Sequence, residues 1–489
     1  MPHPITPTTP AQNWIDGAWT DSPVHDDSYD PATGTHIGTY AKATRAQVEQ
    51  AIAAAHRAFR TTSWRHDRQL RAAVLNTMAD RVEERRDDLI DLLALDNGKI
   101  KTEAALEIDM VAPKLRYNAA LALSDFGRAA EVRPGRYSMV VREPLGVAGV
   151  ITPWNSPVIL TIRSLAPALA AGCTAVVKLP EQTAQINRLF TEIIAQTDGL
   201  EPGIVNMFTA DRDAAAALID SPDVPAISFT GSTATGKAIS AAGAAHLKRF
   251  GLELGGKTPI ILFESADLTQ ALPVVEKALT TFAGQFCMTG SRLLVHRSLA
   301  DQVRDQLARR LRAVRPGPAA DPASDMGPLI DQANVTRVNT LVENAIAAGA
   351  RPVVRGGPVT DGPLANGAFY RPTLLEVTDP TLDIVQEEVF GPVLTMQVFD
   401  TETEAIALAN DSVYGLAASV WSRDVDQPLR VARELEAGTV WINDWATIYD
   451  EFEEGGYKHS GQGRLNGIAA LEDFTEYKHI ALRPGTIEH

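Results

Sequence analysis

Cysteine is nearly missing from the 489 residues: the chain has two, Cys173 and Cys287. Two thiols cannot build a disulfide framework, and neither lies in a Cys-x-x-Cys pair or a His/Cys cluster with zinc spacing. A reducing compartment and no structural metal are therefore expected. Long apolar runs are missing too, and no uninterrupted stretch reaches the length needed to cross a bilayer. Residues 1–10 carry Pro and Thr where a secretory leader would have basic residues and then an apolar run, which predicts a cytoplasmic protein. Positive charge is in deficit, with 45 Lys and Arg against 61 Asp and Glu for a formal charge of −16. Such a surface repels nucleic acid and anionic membrane alike, so neither is expected as a partner. Internal repeats and low-complexity tracts are absent.

Length and apolar content are what the chain has. At 489 residues it is too long for one simple core, and roughly two to four domains are expected, with 45% apolar residues to fill them. Residues 13–40 alternate short apolar pieces with Asp, Gly and Pro turns, as in small edge strands. From Thr44 the pattern turns helical, with Val48, Ile52, Ala55 and Phe59 at three- and four-residue steps. Further helices are predicted over 65–96, stopped by Asn97-Gly98, and over 102–124. Residues 131–143 read as extended.

Between 147 and 253 strand and helix alternate. Strands are predicted at 147–152, 174–178, 204–208 and 225–229, and helices at 157–171, 181–197, 211–219 and 232–242. The alternation predicts a parallel sheet covered by helices on both faces, which binds nucleotides at the carboxyl ends of its strands. Cys173 opens one of these strands and reads as core. A second alternation over 258–443 predicts a second domain of similar type, with the piece from Pro316 to Pro322 as a loop.

Three segments carry chemistry. Cys287 lies in Phe282-Ala283-Gly284-Gln285-Phe286-Cys287-Met288-Thr289-Gly290-Ser291-Arg292, among small residues rather than in an apolar strand. A thiol there has room for substrate and attacks as the thiolate once a base or electropositive amides are at hand. Thirty-four positions earlier, Glu253 is set into the apolar, glycine-rich Gly251-Leu252-Glu253-Leu254-Gly255-Gly256-Lys257. Desolvation in such a turn raises a carboxyl pKa towards neutrality and makes it a usable base. Just past the strand at 147–152, Pro153-Trp154-Asn155 offers a side-chain amide donor. A thiol, a base and an amide donor form an acyl-transfer set.

Gly231-Ser232-Thr233-Ala234-Thr235-Gly236-Lys237 comes close to a P-loop and fails at Ala238, since the Ser or Thr that holds magnesium is missing. What survives is a glycine-started helix N-terminus that presents free amides to a phosphate.

With these segments, and with Lys178-Leu179-Pro180-Glu181, Phe229-Thr230-Gly231-Ser232-Thr233, Glu387-Glu388-Val389-Phe390-Gly391-Pro392 and Gly455-Gly456-Tyr457-Lys458 in order, the chain resembles the NAD(P)-dependent aldehyde dehydrogenase superfamily over nearly its whole length. The resemblance implies an α/β fold of two doubly wound parallel-sheet domains with a small β oligomerisation arm. Residues 1–126 and 146–253 would form the NAD-binding domain, 254–456 the catalytic domain, and 127–145 with 470–489 the arm, which joins subunits into a homodimer or homotetramer. It implies oxidation of a small-molecule aldehyde to a carboxylic acid, with Cys287 as nucleophile, Glu253 as the base that activates water, and Asn155 with the Cys287 N–H as oxyanion donors.

For the cofactor, the resemblance implies that Lys178 and Glu181 hold the adenosine ribose and that Gly231 and Ser232 lie against the pyrophosphate. Glu388 would hold the nicotinamide ribose, Phe390 would pack beside the ring, and Thr152, Trp154, Leu254 and Gly255 complete the set. An acid at Glu181 favours NAD by repelling the 2′-phosphate of NADP, with NADP use left open. The tunnel wall would include Met110, Leu160, Arg163, Phe286, Ile448 and Glu454. Relatives that oxidise apolar aldehydes tend to place aromatic rings at the positions of Arg163 and Glu454, so either these two charges meet or one of them faces a polar substrate. The chain also departs from many relatives at Leu465, where an acid is often assigned a part in proton movement to the base. A CoA-acylating semialdehyde dehydrogenase and a catalytically retired binding protein are the rival readings, and intact Glu253, Cys287 and Asn155 weigh against both.

Overall fold

The computed structural model describes residues 10–124 and 127–484. Residues 1–9, read above for a leader, and the last five of the arm, 485–489, lie outside it. Two large sheets organise the chain. The first has eight strands in the order Ala18–Thr20, Asn13–Ile15, Val205–Thr209, Thr174–Leu179, Val147–Ile151, Ala226–Thr230, Arg249–Glu253, Gly461–Gln462. Its five central strands run parallel. The antiparallel edges come from the N-terminal segment and from Gly461–Gln462.

Every residue of Val147–Ile151, Val205–Thr209 and Ala226–Thr230 is buried. Successive side chains enter opposite cores: Val150, Val177 and Met207 join one apolar cluster, Ile151, Val176 and Phe208 the other. Burial on both faces is what a parallel sheet between helical layers requires. Each such Val, Ile or Leu contributes about 1.5–3 kcal/mol. Local signals fix the helix ends. The helix Pro157–Ala171 starts with proline at its first turn and ends at Gly172, whose φ of 102° closes it in the left-handed region.

The helical runs read at 65–96 and 102–124 are each divided, at Arg85 and at Met110. Apolar periodicity continues across both breaks, so the pattern does not reveal them.

The second sheet has seven strands, in the order Arg351–Val354, Thr373–Glu376, Val393–Phe399, Gly290–His296, Thr258–Leu262, Ala417–Trp421, Thr439–Ile442. All run parallel except the first. Ile260, Leu293 and Met396 enter one core and Ile261, Leu294 and Val420 the other. A third, three-stranded sheet pairs Arg136–Pro144 with Arg128–Arg133 on one side and Thr475–Leu482 on the other. Arg128–Arg133 is exposed throughout. Among the described residues, no helix is long and apolar enough to cross a membrane.

Candidate active site

The carboxyl edge of the first sheet gathers the residues. Beyond Val147–Ile151 the chain turns to Asn155, whose buried Nδ2 donates to the Gln285 carbonyl at 3.0 Å, two residues before Cys287. A carboxamide nitrogen carries two hydrogens, and this bond uses one. Three consecutive residues before Gln285 are left-handed: Phe282 (φ 53°), Ala283 (φ 54°) and Gly284 (φ 72°). For the two non-glycine residues this costs roughly 1–2 kcal/mol each, so the turn must be held from outside. Glu103 accepts the Phe282 N–H at 2.8 Å, and the Gln285 side chain donates to the Phe282 carbonyl while accepting from Ile330 N–H. Gly284 also packs so closely on Gly391 that an added Cβ would meet its carbonyl at 2.4 Å.

Glu253 ends its strand between Thr230 on one side and Gly461 on the other. It is 4% exposed, and neither carboxylate oxygen has a hydrogen-bond partner. Burial pushes its pKa up to about 7; the Arg163 and Arg464 charges oppose this, and Glu454 adds to it. The Cys287 thiol is pushed up to about 12 by burial, with the carboxylates of Glu253, Glu388 and Glu454 adding and Arg163 opposing. One guanidinium therefore favours the anionic form of both groups.

A groove of about 690 Å³ runs along the same sheet edge, lined by Thr152, Trp154, Lys178, Glu181, Gly231 and Ser232 among others. That volume suits a small organic ligand. Ser232 caps the helix Thr233–Gly243 by accepting from Thr235 N–H, and the dipole of that helix favours an anion at this end. Gly231 has no room for a side chain, since a Cβ would meet the Phe229 ring at 2.5 Å. Burial lowers the Lys178 pKa. Glu181 binds the Lys42 ammonium at 2.9 Å and accepts from the Tyr40 hydroxyl at 3.4 Å.

Outside the groove lining, Glu388 accepts from Gly256 N–H at 3.1 Å and lies 2.6 Å from where a Cβ on Gly255 would be. Burial pushes Glu388 up to about 7. Phe390, itself left-handed at φ 51°, sets its ring edge-on to Trp154 at 5.5 Å. Leu254 is buried against Gly236. A groove that has a helix N-terminus and the Glu181 carboxylate in its wall fits a dinucleotide.

Of the expected tunnel residues, Leu160 and Met110 pack in one apolar cluster, and the Phe286 ring lies edge-on to Phe282 and Trp445. Ile448 is 39% exposed. Arg163 and Glu454 meet each other, Nη1 to Oε1 at 3.1 Å, both buried.

Comparison with known proteins shows the family. The family model described as the aldehyde dehydrogenase family matches residues 19–480. The chain belongs to the aldehyde dehydrogenase family. A betaine aldehyde dehydrogenase of Bacillus subtilis is 38% identical over 472 residues, covering 96% of each chain. A crystal structure of betaine aldehyde dehydrogenase from Staphylococcus aureus in complex with NAD+ superposes with a TM-score of 0.95 at 36% identity, over 98% of this chain and 96% of the other. An aldehyde dehydrogenase from Bacillus cereus gives 0.94 at 34% identity, over 97% of both.

The groove of this NAD(P)-dependent aldehyde dehydrogenase is also lined by residues that its sequence did not mark as cofactor contacts. Arg212, Ile219, Ala238 and Ile239 line the cleft from the two helices that follow its strands. Lys42 reaches Glu181 from the N-terminal segment. The groove helices were legible as elements, and their faces towards the sheet edge were the available signal. Lys42 had none. Ala238 takes a P-loop's magnesium position as part of the apolar groove wall.

Proposed function

We propose that the chain oxidises its aldehyde through covalent catalysis at Cys287, with hydrolysis driven by Glu253. The observation that carries the reading is that Asn155 is bonded to the Cys287 turn while Cys287 and Glu253 share the Arg163 charge. The Cys287 thiol gives up its proton to solvent, the Arg163 charge favouring the anion, and the thiolate adds to the carbonyl carbon, the resulting oxyanion accepting from the second Asn155 N–H and the Cys287 N–H. NAD, when bound, supplies the two-electron acceptor that turns the adduct into a thioester. Glu253 then takes a proton from water, hydroxide adds to the thioester carbon, the C–S bond breaks, and the thiolate returns.

The residues fit the cofactor. Lys178 and Glu181 would hold the adenosine ribose, Gly231 and Ser232 the pyrophosphate, and Glu388 the nicotinamide ribose. Phe390, Trp154, Thr152, Leu254 and Gly255 would shape the nicotinamide end. On this reading 1–126 with 146–253 bind the cofactor, 254–456 carry the nucleophile, and 127–145 with 470–489 join subunits as a homodimer or homotetramer. The exposed outer strands of the three-stranded sheet support that assembly, because an unpaired strand edge invites pairing. The acidic surface and reducing chemistry fit a cytoplasmic enzyme.

The aldehyde we infer has a polar or cationic group away from its carbonyl. Arg163 and Glu454 neutralise each other. Next to Ile448 lie exposed Tyr449 and Phe452, rings edge-on at 6.3 Å, with Glu451 and Glu453 in the same loop and Asp450 paired with Lys114. Aromatic faces and carboxylates attract a quaternary ammonium, and betaine aldehyde, named for two of the relatives above, is the first candidate.

The mechanism is tested with Glu253→Gln. Mixed with NAD and aldehyde, it should release about one NADH per site and stall, since an amide cannot deprotonate water. Steady turnover at the parent rate would remove Glu253 as the base. The substrate is tested by comparing hexanal with carboxylated, hydroxylated, amino and trimethylammonium aldehydes of similar length. A parent that prefers hexanal contradicts the polar reading.

A further inference from the structure

Arg163 and Glu454 are tied to the two strands that flank Glu253. Arg163 Nη2 donates to Thr230 Oγ1 at 3.4 Å, and Thr230 is the register partner of Glu253. Glu454 exchanges both backbone hydrogen bonds with Leu465 at 2.9 Å, and the same C-terminal segment pairs Gly461 with Glu253. The ion pair itself is only part-used, because Arg163 Nε and Glu454 Oε2 are buried without partners. The charged groups facing Glu253 are Arg163, Glu454 and Arg464. Those facing Cys287 are Arg163, Glu253, Glu388 and Glu454. Arg464 donates to the Gly463 carbonyl at 2.6 Å and lies over the Tyr457 ring at 5.6 Å, which leaves Arg163 as the cation common to base and nucleophile. The Leu465 side chain brings no oxygen to this region.

We propose that Arg163 and Glu454 are a positioning pair for the two chemical steps and not the selector of the aldehyde: Glu454 fixes the guanidinium beside Glu253 and Cys287, where it steadies each anion in its turn. This rests on the reading of Glu253 as base and Cys287 as nucleophile. A buried ion pair adds little net stability, and removing one partner strands the other. Without the Arg163 charge, both the Cys287 thiolate and the Glu253 carboxylate lose their cation. Without the Glu454 charge, the guanidinium turns to Glu253 and holds it as a carboxylate.

The test uses the NAD-loaded enzyme in four variants: R163M, R163K, E454Q and the double R163M/E454L. The readouts are the kcat–pH profile, the rate at which iodoacetamide alkylates Cys287 without aldehyde, and the ranking of aldehydes. R163M should move the acid limb up by about one pH unit and slow alkylation roughly tenfold. R163K should restore both, a rescue that a purely structural role would not give. E454Q should move the limb down, and neither change should reorder the aldehydes. Should the single variants fail to fold, the double variant decides, because it leaves no stranded charge. Its limb should still move up, by less than in R163M. A folded R163M or double variant with the parent's limb and alkylation rate overturns the proposal, as does a reordering of aldehydes with the limb unmoved. Alkylation needs no base, so it reports on the pair even if steady turnover by Glu253→Gln removes Glu253 from the mechanism.

Discussion

A Cβ on Gly256 would come within 2.4 Å of the Cys287 carbonyl oxygen, closer than real Cβ contacts allow. The contact is with backbone, so no side chain can swing aside to relieve it. Gly256→Ala is expected to displace the nucleophile or the Gly256 N–H that Glu388 accepts. A shift of an ångström at a reacting centre costs roughly 100-fold in rate. Steady-state kinetics at saturating NAD check this, and a variant within a factor of three of the parent contradicts it.

The two thiols should separate completely. Cys173 is fully buried and donates to the Phe474 carbonyl at 3.3 Å, so nothing reaches it, whereas Cys287 is only half-buried. Cys287→Ala should abolish aldehyde oxidation and keep cofactor binding, which uses other residues. Cys173→Ala should leave activity largely intact. Thiol titration of the folded parent is expected to find one reactive thiol per chain, lost only with Cys287.

Glu253 links pH to stability as well as to rate. Its folded pKa, about 7, lies above the ordinary carboxyl value of 4.5. The stability tied to its proton is therefore fully present below about pH 4.5 and is lost as pH rises through 7, up to about 3 kcal/mol. Glu253→Gln should accordingly resist urea better than the parent at pH 8 and match it at the acidic end. Equal midpoint differences at both pH values would place the ionisation elsewhere.

Cofactor choice should follow the Lys42–Glu181 contact. The Glu181 carboxylate repels a 2′-phosphate, while Lys42, bound to it at 2.9 Å and to Asp211 at 3.5 Å, offsets part of that charge. NAD should be used more efficiently than NADP. Glu181→Gln should narrow the ratio by roughly tenfold, about 1.4 kcal/mol, because it removes the repulsion and frees the lysine. Kinetic competition between the two cofactors measures it, and a parent preference for NADP would refute the assignment.

What the sequence determined by itself is local. Buried strands of five or six apolar residues, the proline that opens the helix at Pro157 and the glycine that ends it at Gly172 are set by neighbours in the chain. The elements from 147 to 253 could therefore be read to within a few residues. The divided helices at Arg85 and Met110 could not, because periodicity runs on through a break. Cys287, Glu253 and Asn155 stood out through their residue types and glycine-rich surroundings. Three things waited for the tertiary structure: the left-handed turn at Phe282-Ala283-Gly284, the Lys42–Glu181 contact, and the meeting of Arg163 with Glu454 across 291 positions. The sequence showed two charges at expected tunnel positions and an acid missing at Leu465. That Glu454 is hydrogen-bonded to Leu465 and faces Glu253 follows from packing between distant segments, where the energy of a charge depends on neighbours that its own stretch of chain does not name.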